Sequence, residues 1–123
     1  MDMRQGIRSA TEDSENRFYE LIESLPMVAV QGYDRYRRVI YWNEASTRLY
    51  GYSHEEALGQ LLEDLIIPDH MRNAVIDAHR NWLEKNISIP ADELELKHKE
   101  GHLVPVYSSH AMIKQDSGAC EMF

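Results

Sequence analysis

Apolar positions recur along the chain with two periods, and the change of period marks the elements. Phe18, Leu21, Ile22 and Leu25 stand at i, i+3, i+4 and i+7, one stripe of an amphipathic helix that Pro26 ends. Residues 27–31 read as a short strand, Tyr33-Asp34-Arg35-Tyr36 as a turn, and residues 38–42, rich in Val, Ile and aromatics, as a second strand, so the two make a hairpin. Asn43 is a good N-cap for a helix over 44–50, and Gly51 stands where a left-handed residue closes it. Ser53-His54-Glu55-Glu56 is a capping box opening another short helix, closed by Gly59. After a less regular segment over 61–67, Pro68-Asp69 starts the longest helix. It carries Met71, Val75, Ala78 and Trp82 on one face and runs to about residue 86.

Beyond that helix the period falls to two. Leu94 and Leu96 alternate with charges over 92–99, Glu100-Gly101 supplies a turn, and 102–114 reads as one long strand. Asp116-Ser117-Gly118 turns the chain again, and 119–123 begins a last strand that stops short. The order helix, β-β, short helices, long helix, β-β-β predicts an α+β fold on one antiparallel sheet. Residues 1–13 read as a disordered or frayed lead-in, and 14–123 as a single domain with its last strand truncated.

Composition narrows the function. A chain of 123 residues has room for one main core. The formal charge of −8 disfavours a nucleic-acid or anionic-membrane surface, and the cluster Arg35, Arg37 and Arg38 is too small to reverse it. The longest apolar run is too short to span a bilayer, and the N-terminus lacks the apolar centre of a signal peptide. One cysteine, Cys120, excludes an internal disulfide. Together these point to a cytoplasmic domain without direct membrane contact, whose parent protein can still be membrane-associated. Catalytic motifs are missing: there is no H-E-x-x-H and no G-x-S-x-G, and the six glycines are scattered singly at turns and caps.

Two stretches carry a family resemblance. VIYWNEASTRLYGYSHEEALGQ, with its aromatic-Asn strand end, its helix ending in Gly-Tyr and its Ser-x-Glu-Glu-x-x-Gly, is similar to the heart of PAS domains. LELKHKEGHLVPVYSS resembles the second signature of the same family: a basic strand, a Lys-acid-Gly turn and a strand carrying Pro-Val. The motifs come in the expected order, and the likeness covers roughly residues 14–123. The wording YWNEAS…LYGYS…EDLIIP looks closest to bacterial PAS–diguanylate cyclase proteins, with sensor histidine kinases as the alternative.

The resemblance implies a five-stranded antiparallel sheet of order 2-1-5-4-3, with helices enclosing a small cavity over its concave face. It also implies a regulatory role, with no catalytic residue of its own, toward an attached output domain. Light-sensing relatives that bond flavin need a Cys before the long helix, where this chain reads Leu61-Leu62-Glu63-Asp64-Leu65. Haem-binding relatives place a His near position 73 or 75, which are Asn73 and Val75 here; His70 and His79 read as surface residues. Neither cofactor is expected.

Strand alternation puts Val28 with Val30, and Ile40 with Trp42, on single faces, and Val106, Ser108 and His110 share a face of the long strand. With Trp42, Ser46 and Tyr50 matched to pocket positions of the family, and Met71 and Val75 closing from the long helix, these residues form the expected ligand site. The competing reading is that the large side chains simply fill the core. The resemblance further suggests a link from Glu63 or Asp64 to Lys99. The stripe of Phe18, Leu21, Ile22 and Leu25 is expected to pair with a second copy in a homodimer.

Overall fold

The computed structural model describes residues 27–114 and 120–123, together with Arg17, Glu20 and Leu21. The lead-in over 1–13 and most of the N-terminal stripe therefore lie outside the described residues.

The first hairpin joins β1 (Gln31–Tyr33) and β2 (Val39–Trp42). Asp34 closes its turn: the carboxylate accepts the N–H groups of Tyr36 and Arg38 at 2.8 and 2.9 Å. Arg37 adopts φ 67°, a left-handed conformation that costs a side-chain-bearing residue about 1–2 kcal/mol. Its guanidinium meets the buried Glu63 carboxylate at 3.0 Å, which fixes the turn to the helices.

The strand predicted over 27–31 begins only at Gln31. Before it, the Asn43 side chain takes over the bonding a ladder would supply, accepting from Val30 N at 3.0 Å and donating to Val28 O at 2.7 Å. Within β2 the register shifts: Tyr33 faces Val39 and Gly32 faces Tyr41, leaving Ile40 as the extra residue of a β-bulge. The bulge resets the alternation. Val39 and Trp42 are buried and Ile40 is exposed, so Ile40 and Trp42 do not share a face as expected.

The helices follow the sequence signals closely. Asn43 caps α1 (Glu44–Tyr50), which ends on Gly51 at φ 86°. Ser53 and Glu56 form the capping box of α2 (His54–Ala57), α3 spans Leu62–Leu65, and a 3-10 turn Asp69–Met71 leads into α4 (Arg72–Lys85). The core gathers Tyr33, Val39, Trp42, Tyr50, Ala57, Leu62, Leu65, Ile66, Ile67 and Leu96.

All strand pairs are antiparallel, but they form two sheets rather than one. β3 (Asp92–Lys97) pairs with β4 (Leu103–Ser108), while β5 (Met112–Lys114) and β6 (Cys120–Met122) complete a four-stranded sheet of order β2-β1-β6-β5. The single strand predicted over 102–114 is thus broken, and with it the predicted order 2-1-5-4-3. The ladder partners account for the break. Asp92, the first residue of β3, faces Ser108, and Phe123 exchanges backbone bonds with Ala111 at 2.8 and 2.9 Å. Between them Ser109 and His110 have no ladder neighbour among the described residues. Read through this interruption, the strands keep the predicted succession of neighbours.

The turn between β3 and β4 sits over α1 and α2. Lys99 N–H donates to Tyr50 O at 2.9 Å, and its ammonium pairs with Glu56 and lies 5.9 Å from the Tyr52 ring centroid. This corrects the expected partner: Glu63 is taken by Arg37, and Asp64 by Arg72 at 2.9 Å. The Lys99 hydrogen bond, reinforced by that of Ser53 N–H, holds the Glu56 carboxyl down at about 2.

Candidate functional site

Helix α4 lies across the mixed surface of α3, β1 and β3, and between them is a cavity of about 240 Å³. Apolar side chains dominate its wall: Leu62, Ile66 and Ile67 from the α3 region, Met71, Val75 and Ala78 from the helix side, Leu94 and Leu96 from β3, and Met122 from β6. Polar side chains enter as well, from Gln31, Tyr33, His79, Asp92, Ser108, Ser109 and His110. A volume below the roughly 300–1,000 Å³ of drug-sized sites suits a small molecule with few polar groups.

Burial tunes three of these groups, Tyr33, His79 and His110. His79 is 5% exposed, and desolvation, helped by the neighbouring His110 and Arg37, lowers its imidazole to about 4, keeping it neutral at neutral pH. Its ring stands edge-on to Tyr33, with centroids 6.3 Å apart. Burial also raises the Tyr33 hydroxyl well above its ordinary value, so it stays protonated. His110 lies 3.3 Å, through Nε2, from Ser108 Oγ, and burial lowers its pKa as well. The Nδ1 of His110 is buried without a hydrogen-bond partner among the described residues. An unmet polar atom of this kind costs stability.

Four of the residues expected from sequence line this cavity: Met71, Val75, Ser108 and His110. Val28, Val30, Tyr50 and Val106 instead border a groove between the segment 27–31 and residues 105–111. Trp42 and Ser46 line neither. The Trp42 ring is buried against Tyr50 and Tyr52, with Nε1 near Thr47 Oγ1 and Tyr52 O at 3.2 and 3.1 Å. Ser46 is fully buried in a polar knot, its hydroxyl 2.7 Å from Asn43 Oδ1, 3.0 Å from Val30 O and accepting from Gln31 Nε2 at 2.7 Å. Ile40 faces outward through the bulge.

His79 reverses the sequence expectation of a surface position. Val75, Ala78, His79 and Trp82 stand at i, i+3, i+4 and i+7, so His79 belongs to the buried stripe of α4. That spacing was available in the sequence. Tyr33, Gln31 and Met122 were also missed as cavity residues, because their placement depends on the β1–β6 pairing between distant segments.

Antiparallel sheets, a helix laid across them and a small, mostly apolar cavity between them define the fold class. The chain belongs to the PAS family, whose PAS fold model matches residues 39–123. Members are generally sensory, non-catalytic modules. Solved structures agree in fold. A PAS domain from Colwellia psychrerythraea superposes with a TM-score of 0.66 at 24% identity, covering 85% of this chain and 92% of that one. A PAS domain from Desulfitobacterium hafniense gives 0.61 at 20% identity, covering 76% and 86%. The PAS-B domain of Drosophila melanogaster Cycle, with bound ethylene glycol, gives 0.60 at 10% identity, covering 78% and 96%. A search of curated proteins gives no match. No helix among the described residues is long and apolar enough to cross a membrane.

Proposed function

We propose that this PAS domain is a cytoplasmic sensor whose cavity takes a small, largely apolar molecule carrying one hydrogen-bonding group. The observation that carries the reading is His110, which borders a largely apolar wall and whose Nδ1 is buried without a partner among the described residues. Neutral His79 and protonated Tyr33 add polar atoms without a charge, and the exposed Asp92 also borders the site, so an uncharged ligand suits it better than an anion. Met71 and Val75 close it from the α4 side. Native mass spectrometry of the purified protein tests this: an adduct of small-molecule mass is expected, lost in Val75→Trp, where the indole fills the cavity. Bare protein in every preparation, or an adduct indifferent to Val75→Trp, would sink the reading.

Occupancy is relayed to an attached output domain. The likeness of YWNEAS…LYGYS…EDLIIP to bacterial PAS–diguanylate cyclase proteins supports a diguanylate cyclase (GGDEF) output, with a histidine kinase as the alternative. The coding sequence on both sides of this stretch decides between them, and finding neither removes both.

A second reading, a ligand-free interaction module, rests on exposed apolar surface. Leu21 is helical and 59% exposed, and Tyr107 on β4 is 73% exposed. In this reading Phe18, Leu21, Ile22 and Leu25 pair with the same stripe of a second copy. Light scattering on the eluting protein tests it: a dimer that Leu21→Glu dissociates supports it, and a monomer at high concentration refutes it.

A further inference from the structure

Outside the cavity, the turn between β3 and β4 gathers side chains that sensing in the cavity does not use. His98, Glu100 and His102 each offer a ligand atom, and the three atoms lie within 4.8 Å of one another. The turn itself brings them together. Gly101, at φ 96°, directs its N–H to His98 O at 2.8 Å, while His98 N–H reaches His102 O at 2.9 Å. The two histidines thus face each other across the mouth of the hairpin, their rings stacked at 4.3 Å and 20°, with Glu100 at its tip.

The platform beneath is well held. Lys99 is bonded to Tyr50 O through its backbone and to Glu56 through its side chain. The His98 ring lies against Gly51, where an added Cβ would fall 2.5 Å from its Cε1, so the left-handed glycine that ends α1 also makes room for the imidazole.

Two imidazoles and one carboxylate form a donor set for zinc and its neighbours, whereas magnesium and calcium seek oxygen alone. We propose that this turn binds one zinc-type divalent ion through His98, Glu100 and His102, with water completing the shell. Tetrahedral bonds of about 2.0–2.1 Å set ligand atoms about 3.4 Å apart, so the three must close by at most about 1.4 Å from their 4.8 Å limit, and the His102 ring must turn out of its stack on His98 so that both nitrogens point at the ion in their ring planes. His102 and Glu100 are exposed and free to make that movement. His98 Nδ1 accepts the Glu100 N–H at 3.0 Å, and coordination through that atom exchanges the hydrogen bond for a metal bond.

Calorimetric titration of the 123-residue protein with zinc chloride tests the proposal, with cobalt chloride and its visible absorption as an independent readout. One ion per chain is expected. Removing even an outer-shell partner of a metal typically costs about 10–100-fold in affinity, so His102→Ala, which deletes a ligand, should weaken zinc by at least about tenfold. Glu100→Gln should also weaken it, and His70→Ala, at an exposed histidine on another element, should leave it unchanged. His102 is exposed, and an unaltered circular dichroism spectrum confirms that its loss leaves the fold intact. Absence of zinc and cobalt binding in the unmodified protein, or unchanged affinity in His102→Ala, overturns the proposal.

Discussion

Acidification offers a direct probe of the cavity wall. His79 sits at about 4 in the folded chain against an ordinary 6.5, chiefly because burial penalises its charged form. Between these values the unfolded chain binds a proton that the folded chain refuses. Stability therefore rises with pH across the window: it is fully present above about 6.5 and is lost as pH falls toward 4. The full separation is worth about 3 kcal/mol, and the part lost between pH 7 and pH 5 about 2 kcal/mol. His110 shifts the same way and adds to the loss, whereas Glu56, held at about 2 by Lys99, acts only below its ordinary 4.5. Urea unfolding at pH 7, 6 and 5 isolates the histidines. The unmodified protein should lose stability with a slope approaching about 1.4 kcal/mol per pH step near pH 5. His79→Gln, which cannot titrate, should be less stable at pH 7 yet lose less than half as much on acidification. The comparison uses slopes, so an overall destabilisation of the variant does not blur it. Parallel curves for the two proteins, or an NMR titration of the His79 ring at its ordinary value, would refute the reasoning.

Other expectations follow from individual contacts. Trp42→Ala removes a ring that is 2% exposed and should cost about 3–5 kcal/mol, read as a lowered melting temperature; a shift within error would mean the neighbouring tyrosines collapse into the space. Arg37→Ala leaves the Glu63 carboxylate, with its side chain 2% exposed, without its cation and should cost about 3 kcal/mol in urea unfolding, whereas Arg37→Lys should recover only part. Asn43→Ala loses the N-cap of α1 and strands the Val30 N–H, together about 2–4 kcal/mol; Asn43→Ser should restore the cap alone.

The helices were readable because their signals are local. Asn43, Gly51 and the Ser53–Glu56 box each specify a helix end through atoms within a few residues, and each does so in the structure. Strand boundaries were less readable because they depend on partners far along the chain. Nothing near Val30 announces that Asn43 will take its backbone bond, and nothing near Ile40 announces a bulge, since both follow from docking β1 against β2 and α1. The interruption after Ser108 has the same origin. The in-out alternation of burial continues through residues 103–111, so side-chain pattern predicts one strand, yet a ladder needs neighbours, and β3 starts at Asp92 opposite Ser108.

The cavity obeys a stricter rule than the core, and this explains which of the expected residues line it. Large aromatic side chains fill space, so matching Trp42 and Tyr50 to a pocket works against the physics of close packing: Trp42 is 2% exposed and Tyr50 3% because rings and backbone occupy their surroundings. A void survives where lining side chains are too short or too constrained to meet, as between Val75 and Ala78 on α4 and Leu94 and Ser108 on the strands. The same reasoning places His79 and His110. Each is too polar to be a good core filler, and burial disfavours the charged form of both. Retaining two such groups beside one small cavity lowers the stability of the fold, and a bound molecule that satisfies His110 Nδ1 would offset part of that loss.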